Sequence, residues 1–327
     1  MLQGLQNMGN TCSINTLIQC IGHCEYLRNW LLTEEPNEIN YENEEEKRSN
    51  KLYMSKEMAR ITREMWVDNK SLAPIRFLKA VYSCLRGMIR PGEQLDICEL
   101  WMLLVDKINS EVGKQERDIS VRGEKDVDGF LQAWKSYNEK CMSRWLKQVQ
   151  GWTTTSINCD HCKKCTRLYE PFCSLSLDIQ TKDKGMDKMF ETMFQKEQIG
   201  DRECDFCNTR SSAEKSVNVS MYPNVLVCCF KRFKVLPDGS AKKITDAIQI
   251  PINIHFENTE GVYRLCSIGN HVGSIDGGHY YATAKNSDGK WYIYDDINIT
   301  NVDDITPILK NNKSAYILFY ELDKTVY

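Results

Sequence analysis

Apolar residues along the first 110 positions recur at intervals of three and four, the spacing of helices with one buried face, whereas from residue 152 onward they alternate or run together as strands do. Ile14, Leu17, Ile18 and Ile21 mark one helical face near the amino terminus. A glycine-bearing turn precedes them, and Asn10 or Thr11 stands where a cap is expected. A second helix is predicted on Ile97, Leu100, Trp101, Leu104, Val105 and Ile108, and helical structure over 130–150 around Phe130, Leu131, Trp134, Tyr137, Met142, Trp145 and Leu146. Two polar stretches interrupt the pattern: Glu34 to Arg48, rich in glutamate and expected to be an exposed loop, and 111–128. Beyond 152, Leu175 to Ile179 alternates, as do Val217, Val219 and Met221, while Val225 to Phe230 is a continuous apolar run suited to the middle of a sheet. There are no internal repeats and no heptads. Helices first and strands afterwards give an α+β chain.

Cys12 lies in or beside the first turn of the helix near the amino terminus, where free amide donors and the helix dipole favour a thiolate. Locally the same stretch would suit a buried cysteine opening a core helix. Near the carboxyl end, Asp276 to Lys285 and Lys290 to Asp296 flank an Asp-Gly turn and read as an antiparallel hairpin. Counting outward from a four- or five-residue loop sets His279 opposite Asp295 or Asp296, where a carboxylate would orient an imidazole. Asp295 ranks ahead of Asp296. His23, His161 and His255 lie in no comparable arrangement, and His271 is kept in reserve. A cysteine, a histidine and an aspartate far apart in sequence can share one site, the base raising the thiolate fraction and the acid fixing the imidazole tautomer.

Gly4 to Gln19 resembles the cysteine box, and Gly277 to Asp296 the histidine box, of the ubiquitin-specific proteases. Ser71 to Leu78, Gln94 to Leu100, Pro223 to Val227 and Lys231-Arg232-Phe233 are similar to further family motifs in the same order, so the resemblance spans nearly the whole chain. It implies a papain-like α+β catalytic domain over 1–327, with a helical thumb (about 1–130), zinc-bearing β fingers (about 152–222, with part of the palm interleaved) and a β-rich palm (131–151 and 223–327). Carried over residue by residue, Cys12 is the nucleophile, His279 the base, Asp295 the orienting acid, Asn7 an oxyanion donor and Asp296 a secondary acid. The substrate would be ubiquitin, whose basic tail ends in two glycines. Gly277 and Gly278 would let backbones approach closely. Asp96 and Glu99, one turn apart on the predicted helix, would meet the tail's arginines. Ser13, Leu95 and Thr283 depart from the family pattern in pocket lining, which bears on modifier choice more than on reaction type.

Cys159-x-x-Cys162 and Cys204-x-x-Cys207 have the spacing of two knuckles closing one tetrahedral structural Zn²⁺ site, with Cys165 and His161 as nearby competitors. No cofactor is expected for the chemistry itself. The 42 basic and 45 acidic residues, with no basic tract near the knuckles, argue against nucleic acid as a partner. No apolar run is long enough for a bilayer, and no secretory signal is visible. Fifteen cysteines, an odd number with metal-like pairs, favour a reducing compartment. Cytoplasm is the expectation, with the nucleus left open. The reading is a thiol-dependent deubiquitinase acting on ubiquitinated proteins or polyubiquitin chains. A silent ubiquitin-binding module and a protease for another ubiquitin-like modifier are the alternatives, and a general papain-like peptidase would need neither the knuckles nor the acidic helix.

Overall fold

The computed structural model describes residues 3–68, 72–114, 128–139, 141–179, 184–235, 238–274 and 277–325. Helices come first: α1 (Cys12–Gly22), α2 (Glu25–Leu31), α3 (Glu44–Arg48), α4 (Met54–Trp66), α5 (Ile75–Cys84), α6 (Ile97–Val112), α7 (Asp128–Asn138) and α8 (Arg144–Val149). The predicted face of α1 is buried, but so is its opposite side: every one of its residues, Ser13, Asn15, Thr16 and Gln19 included, is inside the protein. The sequence pattern is amphipathic because the polar side faces other protein groups rather than water. Gln19 donates to the carbonyl of Gln3 at 2.7 Å, and Asn15 to those of Leu5 and Gln6. These bonds lash the extended amino-terminal segment along the helix.

The acidic stretch is not a plain loop. It holds a 3-10 turn at Glu35–Asn37 and the short α3, whose Asn43 cap accepts from the Glu46 amide at 2.8 Å. Three glutamates in the first turn and Lys47 and Arg48 in the last complement the helix dipole, a local signal stronger than overall polarity. The stretch predicted as helical over 130–150 is broken into α7 and α8, the second capped by Ser143 through the Leu146 amide at 3.0 Å. Most of the polar stretch 111–128 lies outside the described residues. Among those described, no helix is long and apolar enough to cross a membrane.

Strands follow. β1 (Gly151–Cys159) and β2 (Cys165–Phe172) form a hairpin; β3 (Leu175–Leu177) and α9 (Met186–Met193) intervene; β4 (Glu197–Glu203) and β5 (Arg210–Met221) form a second hairpin. The two hairpins join through β1 and β5 into one four-stranded sheet in the order β2-β1-β5-β4. The larger sheet collects β6 (Val225–Phe230), β10 (Val262–Gly273), β11 (Gly278–Lys285), β12 (Trp291–Asp295), β13 (Asn298–Val302) and β14 (Ala315–Asp323), ordered β13-β12-β11-β10-β14-β6-β3. β9 (Asn253–Ile254) pairs with β10, and β7 (Phe233–Val235) with β8 (Ala241–Lys243) as a separate ribbon; α10 (Thr306–Lys310) precedes β14.

β6 explains its continuous apolar run. Val225, Val227 and Cys229 pack into the core shared with the helices, while Leu226, Cys228 and Phe230 enter a second core behind the sheet. A strand covered on both faces has no polar side to show. α1 packs on β10 and β11, so the helix opening with Cys12 rests on the strand that carries His279.

Arg232, just past β6, is fully buried. It donates to the carbonyls of Ala315 (2.6 Å), Ile244 (3.0 Å), Asp246 (3.1 Å) and Asn312 (3.4 Å), tying β14 to the segment after β8. Burial pulls its pKa down to about 10. Replacing it with alanine would orphan those carbonyls, each costing about 1–3 kcal/mol. The Arg232→Ala variant should lose roughly 3 kcal/mol or more in denaturant titration. A loss under roughly 1 kcal/mol would show that water replaces the guanidinium freely.

Candidate active site

Cys12 is the first residue of α1, as expected, but no side chain caps that helix. Thr11 occupies the cap position, yet its hydroxyl accepts from the Met8 amide at 2.9 Å and donates to Asn7 Oδ1 at 3.2 Å. Asn10 adopts a left-handed φ of 50° after Gly9 at 97°, the turn that brings the chain into the helix. The amides of Tyr280, Ser13 and Cys12 itself therefore face the thiol. Even so, its pKa is raised: burial dominates, the Tyr280 amide opposes it, and the charge of Asp296 adds to the rise. The expectation that the helix terminus alone favours a thiolate is corrected here, because the sulfur is desolvated more than the donors compensate.

β11 and β12 pair from Lys285 with Trp291 out to Ala282 with Tyr294, around the loop 286–290. Extending that register brings Asp295 level with Tyr281 rather than with His279. The predicted pairing directly across is thus off by two residues, but two residues along a strand keep the same face. Asp295 reaches diagonally, and His279 Nε2 lies 2.5 Å from its Oδ1. With Nε2 committed to the carboxylate, Nδ1 is the imidazole nitrogen left for chemistry.

Asp296 does something different. It starts the tight turn between β12 and β13 with φ 52°, which re-aims its side chain toward the amino-terminal segment. Oδ2 accepts from Asn7 Nδ2 at 2.9 Å, Oδ1 from Asn15 Nδ2 at 2.8 Å, and its carbonyl from the Leu5 amide at 2.9 Å. Asn7 Oδ1 in turn gathers the Gly9 and Thr11 amides at 3.0 and 3.3 Å. Cys12, His279, Asp295, Asp296 and Asn7 therefore converge where α1, β11 and the β12–β13 turn meet. Asn15 belongs to this network and sequence reasoning missed it, since a polar residue one turn into a helix looks like a solvated face.

At the far end of the small sheet, Cys159, Cys162, Cys204 and Cys207 bring their sulfurs within 4.8 Å of one another. Each knuckle closes the same way: the Lys163 amide bonds to the Cys159 carbonyl and the Asn208 amide to that of Cys204, both at 2.9 Å, with Lys163 and Asn208 at φ 60° and 53°. Cys162 and Cys204 are 3.7 Å apart, the edge length of a sulfur tetrahedron around a metal about 2.3 Å from each. The Ser211 hydroxyl, then the Cys162 and His161 amides, hold the Cys159 thiol down to about 6. The four cysteines can hold a metal, and Cys165 and His161 lie outside that cluster.

The model of the ubiquitin carboxyl-terminal hydrolase family matches residues 3–320. The chain belongs to that family. It is 27% identical over 342 residues to ubiquitin carboxyl-terminal hydrolase 2 of Rattus norvegicus, covering 98% of this chain and 54% of that protein. To ubiquitin carboxyl-terminal hydrolase 8 of Saccharomyces cerevisiae it is 26% identical over 348 residues, covering 98% and 70%. This family member thus spans about half the length of the rat relative. Among solved structures, the SAGA Ubp8/Sgf11/Sus1/Sgf73 DUB module bound to ubiquitin aldehyde superposes with a TM-score of 0.77 at 25% identity, over 98% of this chain and 70% of that one. The fold is the ubiquitin-specific protease fold, and the four-cysteine cluster sits where its zinc-bearing fingers are expected.

The family site's substrate-side residues are arranged less simply than their spacing implies. Asp96 is not on the helix face but is its cap: Oδ1 accepts from the Cys98 and Glu99 amides at 2.8 and 3.1 Å, and Oδ2 from the Tyr316 hydroxyl. Only Glu99 presents an exposed carboxylate. A Cβ on Gly278 would lie 2.1 Å from His271 Nε2, whereas one on Gly277 would meet open space. His271 is no substitute base. It is buried, its pKa is driven down to about 4 chiefly by desolvation, and its Nδ1 lies 2.9 Å from Lys243 Nζ.

A neutral Cys12 thiol has a measurable consequence. In the free protein its alkylation by iodoacetamide should be slower than that of an unfolded cysteine at pH 7.5 and should climb through and beyond pH 9. A rate already level below pH 7 would mean a preformed thiolate, contrary to the burial of the sulfur.

Proposed function

We propose that this chain is a deubiquitinase that hydrolyses the isopeptide bond after the terminal glycine of ubiquitin, with Cys12, His279 and Asp295 as its catalytic residues. The observation that carries the reading is the short His279–Asp295 contact beside the mouth of α1, where Cys12 meets the Tyr280 amide. His279 Nδ1 takes the Cys12 proton as the sulfur attacks the glycine carbonyl, forming the C–S bond. Asp295 stabilises the imidazolium through Nε2–H. The carbonyl oxygen becomes an oxyanion, for which the second Nδ2 hydrogen of Asn7 is available, Asp296 accepting the first. The imidazolium then protonates the departing lysine amine, leaving a thioester. Water, deprotonated by His279, releases ubiquitin and restores the thiol.

In this reading Asp296 is a positioning residue, holding Asn7 and Asn15 rather than the imidazole. Helices up to about residue 130 act as the thumb, β1, β2, β4 and β5 as fingers, and the remainder, β3 included, as the palm. Glu99 offers the tail's arginines an exposed partner, and Asp96 does so only through the acceptor capacity left after capping α6. The four cysteines hold one Zn²⁺, which fastens the two finger hairpins and supplies no step of the reaction.

Ubiquitin bearing a carboxyl-terminal electrophile should label wild-type protein at Cys12 and leave Cys12→Ala unlabelled; persistent labelling would remove Cys12 from the mechanism. Asn7→Ala should lower kcat by about 10²–10³ with KM nearly constant, whereas an unchanged kcat would assign the oxyanion to other donors. Elemental analysis should find about one zinc per chain. Its removal by chelator should lower the melting temperature, and a metal-free protein melting unchanged would refute the structural role.

A further inference from the structure

Gln94 lies in one of the motifs picked out by sequence, and the mechanism above leaves it without a role. It sits in the irregular segment ahead of α6, exposed at the cleft. Its side chain spans to the first residue of β11: Nε2 donates to the Gly278 carbonyl, and Oε1 accepts from the Gly278 amide at 3.0 Å. A carboxamide making both bonds to one residue imitates the main chain of a paired strand.

The register says which edge is being imitated. The Ser274 amide bonds to the Gly277 carbonyl at 2.9 Å, so 274 and 277 form a hydrogen-bonded pair between β10 and β11. Gly273 and Gly278 are then a non-bonded pair, and Gly278 turns its N–H and C=O away from β10. On that outer side β12 covers β11 only from Ala282 onward. The uncovered outward groups are those of Gly278 and Tyr280, and the Tyr280 amide already faces Cys12 Sγ. The two positions are about 7 Å apart along the strand. An extended chain that delivers its terminal carbonyl to Cys12 along this edge meets Gly278 at the place Gln94 occupies. The strand itself has little freedom to retreat, because the His271 ring lies directly beneath Gly278. Gln94 is the partner able to leave: its segment has no regular secondary structure.

We propose that the Gln94 carboxamide is a main-chain surrogate, closing the open edge of β11 in the free protein until the glycine-ended tail of the substrate displaces it by strand addition. The inference rests on the deubiquitinase reading, and it makes Gln94 a determinant of tail affinity. Calorimetry of ubiquitin with Cys12→Ala protein, with and without Gln94→Ala, tests it. Loss of the competing pair of hydrogen bonds should tighten ubiquitin binding about three- to tenfold. The gain should vanish for ubiquitin lacking its whole flexible carboxyl-terminal tail, which does not reach Gly278. Gln94→Glu, which keeps the length but cannot donate to the Gly278 carbonyl, should shift affinity in the same direction. Unchanged or weaker binding in Gln94→Ala, or an equal gain with the truncated ubiquitin, would overturn the surrogate while leaving the deubiquitinase reading in place. Absence of ubiquitin binding by both proteins would sink that reading and this inference together.

Discussion

Complete burial of α1 is the constraint on which the site depends. A helix enclosed on all sides has one rotation and one depth, and its apolar stripe fixes both against the helical core and the large sheet. Its polar residues then have to find partners inside the protein. The carboxamide nitrogens of Asn15 and Gln19 do so by binding the amino-terminal segment and the Asp296 carboxylate, while Asn15 Oδ1 and Gln19 Oε1 meet no hydrogen-bond donor among the described residues. The same packing that hides the polar side of α1 therefore aligns Cys12, Asn7 and the β12–β13 turn. The geometry of the proposed catalytic site is thus a by-product of pairing the buried amide donors.

Two adjacent aspartates have been given opposite tasks by one turn. Asp295 ends a strand and keeps its alternation, so it shares a face with His279; Asp296 enters the left-handed region and points elsewhere. The separation matters electrostatically. Burial raises the Cys12 pKa and the charge of Asp296 adds to the rise, so the free site holds a neutral thiol, while His279 is already engaged with an acid. Such a site is poised rather than charged. In the proposed mechanism, proton transfer to Nδ1 gains from a bound carbonyl that gives the developing charge somewhere to go.

The two sheets divide labour between rigidity and reach. In the large sheet β6 and β14 are buried on both faces, and Arg232 clamps the start of β14. The small sheet stands out with mostly half-buried or exposed strands, so its far end lacks a hydrophobic core of its own. A metal cross-link between two knuckle turns is a physically sensible remedy there, since coordination supplies stability that side-chain burial does not.

Local chemistry was legible in the sequence. The helical spacing after Cys12, the hairpin around an Asp-Gly turn, the two Cys-x-x-Cys knuckles and the apolar run of β6 each follow from nearest-neighbour rules, and the structure contains them all. What the residues could not reveal alone was direction. The diagonal reach of Asp295, the diversion of Asp296, the bond from Tyr316 to Asp96, the burial of the polar side of α1 and the bond from Gln94 to Gly278 all join residues 16 to 289 positions apart. Periodicity reports which face a residue occupies; only packing decides whether that face meets water, a backbone amide or a charge. The raised pKa of Cys12 is the sharpest case, because a helix terminus favours the thiolate and the enclosing core, set by distant sequence, overrules it.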